Sequence, residues 1–389
     1  MPVKPKLKIA LVHDYLKEFG GAESVLEVLS DIFPDAPIYT TLYTPKYLGP
    51  HRSRLEKKWQ GRIHQSFFRL IPFASRLISP LRLFSHLAFK SFDFSGFDLI
   101  ITSATGAYFP NSLNKKQAQL ICYCHTPPRY LYGLPTARNF TRNRLVFILM
   151  KLANHFLRLL DFRSAQNVDQ FIANSKTTAL RIQKFYRKQA LIINPPVKLP
   201  SSLVPRPSNT PSTKPYYLTG GRLARAKRYD VAIQACNLLR APLKVFGRDF
   251  AGFQSELEAL AGPTVEFLGE VTDQQKADLY RNAKAFIFCS DNEDFGIIPV
   301  ESMAYGCPVV AYKSGGVAET VIDGRTGIFF NQLSSASCAE AIKRLNHTEI
   351  SPQNCFSRAA LFSTKFFSQQ ISDLVNNSIK QYPQPQKTI

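Results

Sequence analysis

Two glutamates eight residues apart, Glu293 and Glu301, interrupt the otherwise apolar stretch DNEDFGIIPVESMAYGCPVV at positions 291–310. A carboxylate in such company is rare unless it is paired or hydrogen-bonded. Either both acids face a polar ligand, or the stretch is an ordinary surface loop and helix. The spacing predicts Glu293 in the loop after a strand and Glu301 near the start of the following helix. Phe295-Gly296 lets that loop turn tightly and expose backbone N–H groups. One acid can then accept hydrogen bonds from sugar hydroxyls and the other from a ribose.

Three further groups could join them. In GGRLARAKRYDVAI (220–233), Arg222 offers a bidentate fork for phosphate and Lys227 a mobile point charge. Alone, that motif reads first as a solvated basic turn. Gly20 and Gly21 in EFGGAES could admit a phosphate to a helix N-terminus, although a plain turn is the default for two glycines. His125 follows the run QLICYC, where a lone histidine is as a rule structural.

These residues depend on the elements that place them. Short β-rich runs alternate with helix-like stretches along the chain, the pattern of an α/β fold with parallel sheets. Strands are predicted at 7–12, 38–43, 98–103, 119–124, 170–174 and 190–193, and again at 216–220, 243–247, 265–269, 285–290 and 308–312. Between the two sets, PPVKLPSSLVPRPSNTPSTKP (195–215) carries seven prolines and reads as a linker. The expected organisation is a first doubly wound domain at 1–195, a linker at 196–215, a second doubly wound domain at 216–365, and a C-terminal helix and tail at 366–389 that packs back on the first domain. Ligands of open α/β sheets bind beyond the carboxyl ends of the strands, and two facing domains make a cleft there. Gly20-Gly21, His125, Gly220-Gly221-Arg222 and Glu293 all follow strand ends, which is the main reason to read them as one site.

Length and charge bound the remaining possibilities. A chain of 389 residues suits two domains. An excess of 49 Lys and Arg over 28 acids gives +21, predicting attraction to a polyanion, a phosphorylated ligand or an anionic membrane. The seven scattered cysteines show neither zinc spacing nor a disulfide framework, so reduced thiols and no metal are expected. The basic opening MPVKPKLKIALVHDY reads as a first strand and not as a signal peptide. LVFILMKLANHFLRLL (145–160) is too short and too polar to span a bilayer. Positions 51–90 hold nine Lys or Arg and one acid, with Trp59, Phe67, Phe68, Phe73, Phe84 and Phe89 interleaved. That composition suits a headgroup surface, or a core with a solvated cationic face.

E-D-F-G-x-x-x-x-E, followed by AYGCPVVAYKSGGVAETVIDGRTGIFF, resembles the retaining glycosyltransferases of family four, from about Tyr216 to Phe330. HDYLKEFGGAE and YCHTPPRYLY resemble a mannosyltransferase-like branch of that family. The resemblance implies the GT-B fold: two Rossmann-like domains facing across a cleft. It implies that Arg222 and Lys227 bind the donor diphosphate, that Glu293 lies near the transferred sugar, and that Glu301 holds the nucleotide ribose. The backbone of Phe295 and Gly296 would touch the sugar, Gly20 and Gly21 would approach the diphosphate, and His125 would stand at the sugar-facing edge. It further implies metal-independent transfer of a hexose on the donor's own face, with no cofactor beyond the nucleotide-sugar donor, GDP-mannose being the first expectation. The implied acceptor is a glycan or lipid-linked molecule of cell-surface polysaccharide or glycolipid synthesis, handled in the cytoplasm at the inner face of the membrane. The competing readings are a basic nucleic-acid-binding protein, for which no aromatic RNA-binding signature or docking helix is legible, and a sugar-nucleotide epimerase or phosphorylase on a similar fold.

Overall fold

The computed structural model describes residues 7–136, 144–201 and 215–381. Among them, strands β1 (Ile9–His13), β2 (Ile38–Thr40), β3 (Ile63–Gln65), β4 (Leu99–Ala104), β5 (Gln119–Cys124), β6 (Gln170–Ala173) and β7 (Ala190–Ile192) form one parallel sheet. Strands β8 (Tyr216–Gly220), β9 (Leu243–Phe246), β10 (Val265–Gly269), β11 (Ala283–Phe288), β12 (Val309–Tyr312) and β13 (Gly327–Phe330) form a second. Parallel pairing demands a crossover between successive strands, and the intervening helices supply it while covering both faces. The central strands are accordingly buried throughout: all six residues of β4 and all five of β8 are out of solvent.

The strand orders are 3-2-1-4-5-6-7 and 10-9-8-11-12-13. In each sheet the direction of winding reverses beside the first strand, between β1 and β4 and between β8 and β11. A crevice opens at such a switch point beyond the carboxyl ends of the strands. This is the doubly wound pair expected from the sequence, and its two switch points face one cleft.

Several details differ from the sequence reading. β3 and β13 were not expected. The predicted 38–43 strand stops at Thr40, and the chain then turns so that the Thr41 N–H and hydroxyl both donate to the Asp14 carbonyl. The linker does not begin at 196: Val197 is buried in the second body's core, where its N–H donates to the Phe362 carbonyl and its own carbonyl accepts from the Thr364 N–H. Most of the rest of that linker lies outside the described residues, as do the last residues of the tail.

The final helix, Thr364–Gln381, crosses to the first sheet. Phe367, Ile371 and Val375 join the core formed by Leu11, Val25 and Tyr123, beside the helix Gly21–Ile32. No helix among the described residues is long and apolar enough to cross a membrane. All seven cysteines are buried, and none is in a disulfide.

Candidate functional site

Glu293 occupies the loop between β11 and the helix Ile297–Ala304, at the second sheet's switch point. Its Oε2 accepts from Lys227 Nζ at 2.5 Å and from Ser290 Oγ at 2.6 Å. Lys227 comes from the loop after β8, so the two strands flanking the switch point each contribute one charge. Gly315 and Gly316, in the loop after β12, press against the backbone of this loop: a Cβ on Gly315 would lie 2.2 Å from the Glu293 carbonyl oxygen. The Gly316 N–H donates to that same oxygen at 2.8 Å. A side chain there would displace the carboxylate. Burial alone raises the Glu293 carboxyl, but Lys227, Ser290 and Arg129 outweigh it and hold it down to about 2.

The neighbouring motifs converge on the same place. Gly20 precedes the helix Gly21–Ile32, and Gly296, at φ 83°, precedes the helix Ile297–Ala304. A Cβ on Gly21 would meet Ile297 Cγ2 at 3.7 Å, so the positive ends of two helices from different sheets point into one gap. Arg222 stands beside it, half-exposed, paired across the cleft with Glu18 at 3.3 Å and lying over the Phe250 ring. An incoming anion would compete with Glu18 for that guanidinium. Glu301, in the second turn of its helix, accepts from Lys276 Nζ at 3.1 Å and from the Tyr280 hydroxyl at 3.4 Å. The Phe295 side chain is packed into the core against Phe362, which leaves its backbone as the part available to a ligand.

His125 follows β5 at the edge of the first sheet's crevice. Its backbone carbonyl accepts from Asn174 Nδ2 at 2.9 Å, and its ring packs against Tyr123. Burial, with His13 beside it, pushes the imidazole down to about 3, so the ring is neutral. Among the described residues no group of three His, Cys, Asp or Glu could hold a metal ion.

Sequence reasoning missed the groups that hold the two halves together. Asp294, next to Glu293, is ion-paired with Arg181 and, at 2.9 Å, with Arg129, both from the first body. Both arginines also donate to the Asn292 carbonyl, and the Ser175 hydroxyl donates to the Asp294 carbonyl. Asn292 itself is held at φ 52°, a left-handed conformation uncommon outside glycine. Nearby, the Glu319 carboxylate accepts the Lys176 and Thr177 N–H groups at 2.8 and 2.9 Å, capping the first-body helix Lys176–Tyr186. Glu319 is the acid of the G-G-x-x-E motif and Arg129 belongs to YCHTPPRYLY, so the signals were present in motifs read for other reasons.

The two halves match two family models: residues 19–200 match "Glycosyltransferase Family 4" and residues 203–361 match "Glycosyl transferases group 1". Among curated proteins, the chain is 26% identical over 376 residues to the alpha-1,3/1,6-mannosyltransferase of Schizosaccharomyces pombe, an alignment covering 83% of this chain and 71% of that one. It is 32% identical over 125 residues to the D-inositol 3-phosphate glycosyltransferase of Corynebacterium kroppenstedtii, covering 31% of this chain and only 28% of that relative's length. Among solved structures, it resembles sucrose-phosphate synthase from Thermosynechococcus elongatus at 18% identity and a TM-score of 0.72, covering 97% of this chain and 100% of that one. It also resembles Anabaena HepE in complex with UDP-glucose at 20% identity and a TM-score of 0.66, covering 96% and 100%. At those identities the structural likenesses speak for the two-domain fold.

The Glu293 environment yields a pH test. Its folded-state carboxyl, near 2, lies below the ordinary value of 4.5, so the ionised form's contribution to stability is complete above about pH 4.5 and disappears as pH falls toward 2. In urea unfolding, the stability gap between the parent and Glu293→Gln is expected to be constant from pH 7 to 5 and to narrow by on the order of 2–3 kcal/mol on going to pH 2. A gap that stays constant across that range would contradict the Lys227–Glu293 pairing.

Proposed function

Because the chain belongs to the superfamily of glycosyltransferase family 4 and glycosyl transferases group 1, whose two models its halves match in turn, we propose that it moves a hexose from a nucleoside-diphosphate sugar to a glycan or lipid-linked acceptor, with retention at the anomeric carbon. The observation that carries this reading is the convergence of two helix N-termini, Arg222 and Lys227 on one gap beside Glu293. Breaking the donor's anomeric C–O bond adds a negative charge to a diphosphate that already carries two, and fixed cations and amides stabilise it without reorganisation. Gly20, Gly21, Arg222 and Lys227 serve that role. Glu301 accepts the ribose hydroxyls, and the Ile297 end of its helix presents N–H groups to the phosphates.

Glu293 accepts hydroxyls of the transferred sugar, with the Phe295 and Gly296 backbone beside it, and His125 closes the sugar's other edge. Retention by two displacements would need a carboxylate nucleophile beneath the anomeric carbon. Glu293 is held by Lys227 and Ser290, which suits a charge partner better than a nucleophile. Family membership favours attack of the acceptor oxygen from the face the leaving group departs from, its proton passing to the departing phosphate. Names of the relatives support mannose, and hence GDP-mannose, as the donor. Product analysis with GDP-mannose and UDP-glucose tests the reading. One donor is expected to be turned over by the parent, and Glu293→Gln is expected to lose most of that turnover while still binding the free nucleoside diphosphate. Equal turnover by the variant would remove Glu293 from the site.

The lipid-linked acceptor implies a membrane surface, and the segment 66–90 suits one. Ser66 leaves the carboxyl edge of β3, where its N–H donates to the Thr40 carbonyl, and the Tyr108 hydroxyl ties Ile78 to the loop after β4. The segment thus borders the cleft. Trp59, Phe68 and Phe89 are core, but Leu70 and Phe73 are about three-quarters exposed and Phe84 half-exposed, interleaved with Arg69, Arg76 and Arg82. Apolar tips at the headgroup boundary with cations on lipid phosphate form an interfacial anchor on the cytoplasmic face. Co-sedimentation with anionic vesicles is expected, weakening as salt shortens the screening length and on Phe73→Ser. Equal binding to neutral and anionic vesicles, or none to either, would remove the membrane proposal.

A further inference from the structure

A line of buried polar groups runs along the floor of the first crevice, and the reading above uses only its last member. His13 closes β1 and pairs in register with Ser103 on the adjacent β4; both are wholly buried. His13 Nδ1 lies 3.1 Å from Ser103 Oγ, and Ser103 Oγ lies 2.9 Å from His125 Nε2. At the other end His13 Nε2 makes no hydrogen bond but stands 3.5 Å from Glu23 Oε1, an electrostatic contact. The second oxygen of Glu23 accepts the Gly20 N–H at 2.9 Å.

The direction of this chain follows from one end. An ionised carboxylate only accepts, so the His13 nitrogen facing it carries the ring's proton. A neutral ring holds one proton, which leaves His13 Nδ1 as an acceptor. The single Ser103 hydroxyl hydrogen goes to that nitrogen. Its oxygen then accepts from His125, so the His125 proton lies on Nε2 and Nδ1 keeps its lone pair. The opposite order would aim a lone pair of His13 at a carboxylate.

We infer that Glu23, His13 and Ser103 are positioning residues that hold His125 in its Nε2–H form, so that His125 Nδ1 accepts a hydrogen bond from a hydroxyl of the donor sugar. Through its other oxygen, Glu23 ties this arrangement to the Gly20 turn at the diphosphate gap. One carboxylate thus couples the phosphate-facing turn to the sugar-facing imidazole. The tautomer rests on the geometry alone, whereas its use rests on the proposed donor site.

The test uses the full chain labelled with nitrogen-15 histidine at pH 8. The His125 signals are expected to show a protonated Nε2 and an unprotonated Nδ1, and in Ser103→Ala the two are expected to converge as the preference is lost. In parallel, affinities are compared for GDP-mannose against GDP and for UDP-glucose against UDP. Ser103→Ala is expected to weaken the sugar-bearing nucleotide roughly tenfold, the size of one lost hydrogen bond, with the nucleoside diphosphate changed by less than about twofold. Ser103→Thr, which keeps the hydroxyl, is expected to restore both readouts, and thermal unfolding checks that each variant is folded. A protonated Nδ1 in the parent protein overturns the inference without any variant. So does a Ser103→Ala protein with unchanged tautomer and unchanged sugar-dependent affinity. An Nε2–H form in a protein that binds none of the four nucleotides would overturn the donor reading while upholding the relay.

Discussion

Everything at the cleft depends on how the carboxylate of Asp294 is held. It belongs to the second body but finds its partners, Arg181 and Arg129, in the first, and Arg181 is nearly buried. Leaving a buried charge without its partner costs more than the pair contributes when intact, so the two bodies are held in one relative placement. Glu293 is the preceding residue. The placement that satisfies Asp294 therefore also fixes where the Glu293 carboxylate stands relative to His125, and no element of either sheet alone could do that.

The remaining constraints reinforce this one. Glu319 caps a first-body helix from the short helix Val317–Thr320 that follows Gly315 and Gly316, so the support beneath Glu293 is itself pinned to the opposite body. The return of the helix Thr364–Gln381 to the first core adds an apolar tie. Of the two cations at the gap, Arg222 is the less committed: it is half-exposed and paired with Glu18 at 3.3 Å, an exposed pair worth little in water. Rigid carboxylates flanked by an exchangeable guanidinium suit the proposed uptake and release of a diphosphate.

Much of this was legible in the sequence because apolar runs bounded by glycine or polar residues mark buried parallel strands. QLICYC, YYLTG and VEFLG coincide with β5, β8 and β10 at both ends. β3 was hidden because three residues, Ile63-His64-Gln65, carry no periodicity and form a sheet edge. β13 was absorbed into the D-G-x-x-G turn that precedes it. The segment 51–90 defeated pattern reading because its short helical turns have no stable period, so Phe68 in the core and Phe67 outside it look alike. The Arg181–Asp294 pair spans 113 residues and two domains, a distance over which spacing says nothing. His13 was passed over because a histidine before an aspartate at a strand end reads as a stop signal, whereas its meaning comes from Ser103 on the neighbouring strand.

The most direct measurement is an experimental structure of the full chain with a nucleoside diphosphate bound. The expected result puts the two phosphates between Gly20-Gly21 and the N-terminus of the helix Ile297–Ala304, with Arg222 released from Glu18 and Lys227 within reach of a phosphate oxygen. The ribose then meets Glu301. A nucleotide found instead in the open cavity lined by Arg281 and Lys284, with the Arg222–Glu18 pair intact and the gap between the two helices empty, would contradict the site described above.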